Sequence, residues 1–582
     1  MSRWLLLVSI GLTFVCSVVA QTAKAADDTA AAEVKAKLEA LEDRIQSDAS
    51  GLALGENRAY VDARLGSLAC KSDKKLSVTL FQSSVGELIN GLSAAEADAK
   101  GHPNRPNSEI KIALSIRPAI LTTIAGCDGV FALESLYRTR TGTILRVLAQ
   151  NLEPNGKAFD TNGLNSLLAR SEMALEQKLT LFAAAQNPEL AIKMLQESIR
   201  KGLSQETLGL LKKLFDKDPE SANSLASEVL DRLSAANFST ELADIDNVTL
   251  AQAILSDYIK TKKPDVKELK FDDLAIRSLA QKLISYMLTA SPGFGVQRFP
   301  AVIAIAEKLQ PGSVAALKKM QKSGVPKSVA GYFDSDARKI LTDRSTPDQM
   351  LSDAKRLSPD ARPMIYQAAA SKLAQSGDLT RANDLLNANF SGATLENAIN
   401  QMNAAYASYL VTQARFDEAE RFIDEFPEST RFNSLLNLAN SAFRKDKVEN
   451  KQFALNVLRK VRSLLPEHPD NPTELSQFMQ LTNAFSAVEP DEAFATIEPL
   501  VSQLNGIAEA NAVVQGFQNN FNVRSGEFEL AVGNPYGFLI DPTVFRLLSK
   551  SDFERTLKLI DSFSRREIRI SFRLQLAENP PK

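Results

Sequence analysis

Apolar residues recur every three or four positions along most of this chain, the spacing of helices that bury one face. Between Met364 and Leu465 the pattern comes in units: an apolar run, a short polar break, then a second run with an alanine near its start. Tyr366–Leu386, Asn403–Phe426 and a looser Asn437–Val461 are three such units, and their alanines, Ala382, Ala419 and Ala454, stand 37 and 35 residues apart. Helix–turn–helix periodicity of this length is the mark of a stacked solenoid. Ala191, Ala222 and Ala493 fall in the same register, with 160 residues between Ala222 and Ala382. Runs such as LAQAILSDYI and AVIAIAEKL fill that interval, so it reads as more solenoid with a worn signature. A small residue suits the place where two helices cross closely, and each of Ala382 and Ala419 is followed four residues on by a large partner, Leu386 and Ile423.

Helix starts are marked as well. Asn187, Asp218, Thr346, Ser358 and Glu489 each precede a proline and then an acid. A capping side chain, a proline whose missing N–H costs nothing in the first turn, and a carboxylate at the positive helix end are mutually consistent. Asp541-Pro542 is another start, and Ser564 with Glu567 fits a capping box, which favours a helix over a strand for Ile568–Ala577, with Ile568, Phe572 and Leu576 on one face. Near the N-terminus, Val34, Leu38, Leu41 and Ile45 trace a narrow apolar seam on a helix over 26–50, better suited to packing on its own domain than to a free coiled coil. Residues 51–130 differ. Leu76, Val78 and Leu80 alternate with Ser77 and Thr79, and Ile110, Ile112, Leu114 and Ile116 alternate with Lys111, Ala113, Ser115 and Arg117. Period two predicts a short strand pair, with irregular helices as the competing reading.

The ends and the charges narrow the class. Arg3, an apolar run from Trp4 to Ala20, and Ala23-Lys24-Ala25 make a secretory signal over 1–25, with cleavage after Ala20 as the alternative. An uncleaved anchor is the further alternative, and no later run is long and apolar enough to span a membrane. The mature protein is therefore expected outside the cytoplasm, periplasmic or extracellular. There Cys70 and Cys127 read as one candidate disulfide, against two separate buried thiols. Lys plus Arg number 68 against 70 Asp plus Glu, a balance that gives no reason to expect nucleic acid. Arg565, Arg566, Arg569 and Arg573 form a basic cluster, read as the wet face of a capping helix rather than an anionic docking patch. Asn247-Val-Thr and Asn389-Phe-Ser are glycosylation acceptors in a eukaryotic host only.

Chemistry is sparse. The two histidines, His102 and His468, sit in separate polar loops without ligand-spaced neighbours, and no phosphate-cradling glycine loop, HExxH, GxSxG or CxxC occurs. No metal, cofactor or catalytic residue is expected. Glu134-Ser135-Leu136-Tyr137 has the Glu-Ser-x-aromatic start of lytic transglycosylases, but the Gly-Leu-Met-Gln segment that follows in those enzymes is missing and the motif precedes the solenoid.

The repeat register resembles a degenerate tetratricopeptide-type repeat. Tyr366, Ala370, Leu373, Gly377, Leu379, Ala382 and Leu386 stand at its signature positions, as do Ala407, Leu410, Phe416, Ala419, Ile423 and Pro427. Variable repeat length and the absence of the strong Trp and paired Gly depart from that family. The resemblance implies an α-solenoid with a concave surface for a protein or peptide. The expected organisation is thus signal 1–25, helix 26–50, a mixed region 51–130, and an all-α solenoid over 131–582, clearest over 364–465. The expected function is an exported, non-enzymatic scaffold, with a peptidoglycan- or glycan-acting enzyme using carboxylates and a structural assembly component as alternatives.

Overall fold

A computed structural model describes residues 35–101, 108–152, 164–239, 245–260, 268–289, 298–323, 335–342, 345–517, 523–531 and 540–580. The architecture is all-α with one minor strand pair, as expected. Residues 1–25 and His102 lie outside the described residues. The chain divides into two compact units, one made of residues 1–123 with 462–582 and the other of residues 124–461. This differs from the expected boundary near residue 130 followed by one solenoid to the end. Helical periodicity reports that a segment has a buried face, and it is silent about which distant segment covers that face.

In the 124–461 unit, helices pack on their neighbours in sequence. Arg362–Gln375 meets Leu379–Asn389 and Gly392–Thr412, and Gly392–Thr412 meets Phe416–Asp424 and Glu428–Lys445. The interval with the worn signature is helical too: Ile245–Tyr258, Asp273–Thr289, Phe299–Leu309 and Val314–Ser323 share one apolar core that runs from Ala184 to Leu317. The helix starts form as the sequence indicates at Asn187 and Asp218, which accept the backbone N–H groups of Leu190 and Ser221, and at Thr346, which makes a full capping box with Gln349. Ser358-Pro359-Asp360 does not start a helix. It forms a turn in which Ala361 N–H donates to the Ser358 carbonyl, and the helix begins at Arg362, with Pro363 in its first turn.

Two successive units end their first helix in the same way. After Arg362–Gln375, Gly377 (φ 90°) donates to Ala374 O and Asp378 N–H to Leu373 O. After Gly392–Thr412, Ala414 (φ 59°) donates to Val411 O and Arg415 N–H to Leu410 O. Both are Schellman closures with a left-handed residue just past the helix. The two left-handed positions are 37 residues apart, the same interval as Ala382 and Ala419.

In the other unit, the expected strands are helical. Leu76–Leu80 opens the helix Lys74–Gly101, and Ile110–Arg117 runs through Ser108–Leu114 into Ile116–Ala125. Leu76 and Val78 face outward while Ser77, Phe81, Ser84, Val85, Leu88 and Leu92 are buried against Gly55–Ala69. Ser77 Oγ and Ser84 Oγ donate to the Gly66 and Ala59 carbonyls of that helix, so Ser77, expected on the polar side of a strand, lies in the seam. The strand pair lies instead at Val523–Arg524 and Glu527–Phe528, antiparallel around Ser525 (φ 49°) and Gly526 (φ 76°). Two left-handed residues in a two-residue loop make the tight turn that matches strand twist.

The C-terminal helix Arg566–Glu578 forms, with Ile568, Phe572 and Leu576 buried. The expected capping box does not. Glu567 instead accepts the Phe528 N–H at 3.0 Å and pairs with Arg565, while Ser564 Oγ donates to Glu509. The basic cluster is no wet face either. Arg569 grips Asp48 through two bonds of 2.9 and 2.6 Å, Arg573 bridges Asp48 and Asp561, and Arg44 reaches Asp561 at 2.6 Å. The helix over residues 35–50, with Leu41 and Ile45 fully buried, is thereby fastened to the C-terminal helix. Burial alone would raise the Asp48 pKa, but the Arg569 and Arg573 guanidiniums hold it below its ordinary value.

Candidate functional site

All six register alanines, Ala191, Ala222, Ala382, Ala419, Ala454 and Ala493, have no solvent exposure. Leu386 and Ile423 are buried beside Ala382 and Ala419 on the same helices, as a spacing of four requires. These residues hold helices together. What they leave uncovered is the other side of each unit's first helix.

There a groove of about 280 Å³ opens in the 124–461 unit. Ala404, Ala407, Ser408 and Val411 of Gly392–Thr412 form one wall, and Ser434, Asn437, Leu438 and Ser441 of Glu428–Lys445 the other, with Ile423 at the floor. The groove exists because the facing positions are small: alanine and serine do not reach across from one helix to fill the space beside the next. Ser408, Asn437 and Ser441 are exposed at its rim, while Ala407, Ile423 and Leu438 are buried below them. No Asp, Glu, Lys or Arg lines it. Apolar floor, polar uncharged rim and open ends suit a chain laid along it.

A second, more polar hollow of about 420 Å³ lies in the other unit, lined by the hairpin turn, by Gly51–Ala53 and by Arg565, Arg566 and Arg569. It holds three carboxylates, and each is engaged. Glu527 accepts from Ala53 N–H and from Asn57 Nδ2, both at 2.6 Å; Glu567 accepts from Phe528; Glu509 pairs with Arg565 at 2.9 Å. Arg565 also lies over the Phe528 ring. This is a joint between the hairpin and its neighbours.

Of the remaining residues singled out in the sequence, Glu134 points to solvent on Gly129–Arg138, while Ser135 is buried and Tyr137 half-buried. Burial, followed by the charge of Glu176, pushes the Tyr137 phenol well above its usual range. The nearby Arg140 bridges Glu172 at 2.7 Å and Glu176 at 2.5 Å. Burial opposes the Arg140 charge, but these two carboxylates more than offset it and its pKa rises. His468 is exposed and Asn389 ends a helix at the surface, its amide donating to the Leu385 carbonyl. Cys70 and Cys127 are both disulfide-bonded. Among the described residues no cluster of His, Cys, Asp or Glu could hold a metal ion, and no helix is long and apolar enough to cross a membrane.

The groove was not singled out in the sequence, though its signal is there. In Gly392–Thr412 the lining positions 404, 407 and 408 carry Ala, Ala and Ser, with neither the large apolar residues of a core nor the charges of a wet surface. Comparison with protein families, with curated proteins and with solved structures finds no match.

Proposed function

We propose that this protein is an exported, non-enzymatic scaffold of tetratricopeptide-like helical repeats that holds a protein or peptide partner, with nucleic acid and membrane playing no part in its recognition. The observation that carries the reading is the open, uncharged groove between Gly392–Thr412 and Glu428–Lys445. It lies on the first helices of successive units, where a stacked array offers a continuous binding face. Export rests on Arg3, the apolar run Trp4–Ala20 and Ala23-Lys24-Ala25.

The test is site-specific photo-crosslinking in the native host. A photoreactive phenylalanine at Ser408 is expected to trap a discrete partner, one at exposed Glu418 is not, and the groove-filling Asn437→Trp should abolish capture from position 408. Equal capture at 408 and 418, or capture unaffected by Asn437→Trp, refutes the groove as the site. N-terminal sequencing of protein from the extracytoplasmic fraction should begin near Ala26, and an intact Met1 on soluble cytoplasmic protein would defeat the export reading.

A further inference from the structure

The polar hollow in the unit made of residues 1–123 and 462–582 has one charge left over. Six ionisable side chains line it, Arg565, Arg566 and Arg569 against Glu509, Glu527 and Glu567. Five of them are committed. Arg569 is held by Asp48, Arg565 by Glu509 and Glu567, and Glu527 by the Ala53 N–H and the Asn57 amide. Arg566 has no carboxylate among the described residues; its one bond runs from Nη1 to the Gly51 carbonyl at 2.9 Å. That contact shapes the chain around it. A Cβ on Gly51 would stand 2.7 Å from Arg566 Cζ, 2.8 Å from Nε and 2.9 Å from Nη1, so the guanidinium lies face-on to the glycine. The Gly51 backbone is not left-handed and does not itself call for glycine. The room left by its missing side chain is what the guanidinium uses. Held at Nη1, Arg566 keeps its Nε–Nη2 edge for another acceptor, and the residue is exposed. Ser525, in the hairpin turn, is exposed on the same lining, and its hydroxyl has no partner among the described residues. Donors remain in the hollow, while its carboxylate acceptors are all engaged.

We infer that this hollow binds a carboxylate of single negative charge, laid side by side with the Nε–Nη2 edge of Arg566. The planar fork of an arginine matches the two oxygens of a carboxylate. The charge follows from the balance. Three guanidiniums against three carboxylates leave the lining neutral, so its one uncommitted cation offsets one negative charge and not two. A doubly charged phosphate would bring the second toward Glu509, exposed on the same lining. Glu509 also shows that the hollow accommodates a carboxylate, since Ser564 Oγ and Arg565 Nη1 hold one there at 3.2 and 2.9 Å. Two sources carry such a group, a free organic acid and the C-terminus of a polypeptide. The site is in a different unit from the repeat groove, so the inference stands independently of the scaffold reading.

Isothermal titration calorimetry on the full chain tests it with four probes: propionate, N-acetyl-alanyl-alanine, the amide of that peptide, and inorganic phosphate. The peptide acid is expected to bind and its amide to bind at least about tenfold more weakly, the scale of one hydrogen bond to a charged group. Propionate as tight as the peptide acid identifies a free acid as the ligand; propionate much weaker identifies a chain terminus. Arg566→Ala should weaken binding about tenfold on the same scale. Arg566→Lys keeps the charge but not the fork and should recover little. Gly51→Ala removes no charge: the flexible end of Arg566 gives way, the fold survives, and binding should fall because the guanidinium has left its place. Glu509→Gln adds one positive charge to the lining and should tighten binding. Unchanged thermal melting of Arg566→Ala and Gly51→Ala checks that both fold. Equal binding of acid and amide, preference for phosphate, full recovery in Arg566→Lys, or affinity untouched by both Arg566→Ala and Gly51→Ala overturns the inference. So does the binding of none of the four probes.

Discussion

Replacing Ala414 by glycine should make the protein more stable. Ala414 occupies the left-handed position that closes Gly392–Thr412, at φ 59°, where the preceding unit has Gly377 at φ 90°. An alanine there costs about 1–2 kcal/mol because its Cβ crowds the carbonyl. Glycine removes that strain but returns about 0.4–1 kcal/mol to the unfolded chain as added freedom. Ala414 is exposed, so no packing is lost. The net expectation is a gain of roughly 0.5–1 kcal/mol from those two terms. The mirror substitution, Gly377→Ala, incurs the same strain, and its new Cβ would stand 2.9 Å from the Tyr409 ring. With overpacking added, it should lose about 2–3 kcal/mol. Urea denaturation followed by circular dichroism reads both. Hydrogen exchange over residues 405–424 localises the first, since the Arg415 amide bonded to Leu410 O should exchange more slowly. A lower midpoint for Ala414→Gly would refute the equivalence of the two closures, and with it the 37-residue register.

Asp48→Asn should cost about 3 kcal/mol, because it leaves the nearly buried Arg573 and Arg569 short of their shared carboxylate. Its folded pKa is depressed, so wild-type stability from this pair is full above the ordinary value of 3.8 and fades as pH falls toward the lower folded value; the variant should lack that acid-side loss in urea midpoints measured from pH 5 to 2. Ala419→Leu should lose about 1–3 kcal/mol by overpacking a position without exposure, and an unchanged denaturation midpoint would contradict the close crossing drawn from the sequence. Cys70 and Cys127 should resist thiol labelling until reductant is added, and peptide mapping should recover them joined to each other; ready labelling of the folded, unreduced protein would contradict a bridge.

The sequence showed what local physics decides. Prolines at first turns, capping side chains at Asn187, Asp218 and Thr346, and buried alanines at close crossings act within a few residues, so they leave a local trace. It misled where a short run was asked to decide alone. Leu76, Val78 and Leu80 alternate like a strand, yet the buried face of the long helix that contains them is carried by Phe81, Val85, Leu88 and Leu92 further on. The role of the basic cluster was hidden, because the Arg569 partner Asp48 stands 521 residues away in the chain. The groove was hidden for the opposite reason: its residues are defined by what they leave empty.

The clasp between residues 35–50 and the last helix has a consequence for how the molecule is made. A chain emerges from the ribosome in order, at roughly 5–20 residues per second. Asp48 then waits through the intervening 521 residues for Arg569, on the order of half a minute to two minutes at those rates. Throughout that time the first 123 residues have only part of the unit they belong to, whereas residues 124–461 are complete before Arg569 is made. The repeats can therefore settle during synthesis, and the unit that joins residues 1–123 to 462–582 closes after them. A stop ahead of Arg569 would leave Asp48 without its clasp and strand the helix over residues 35–50 too.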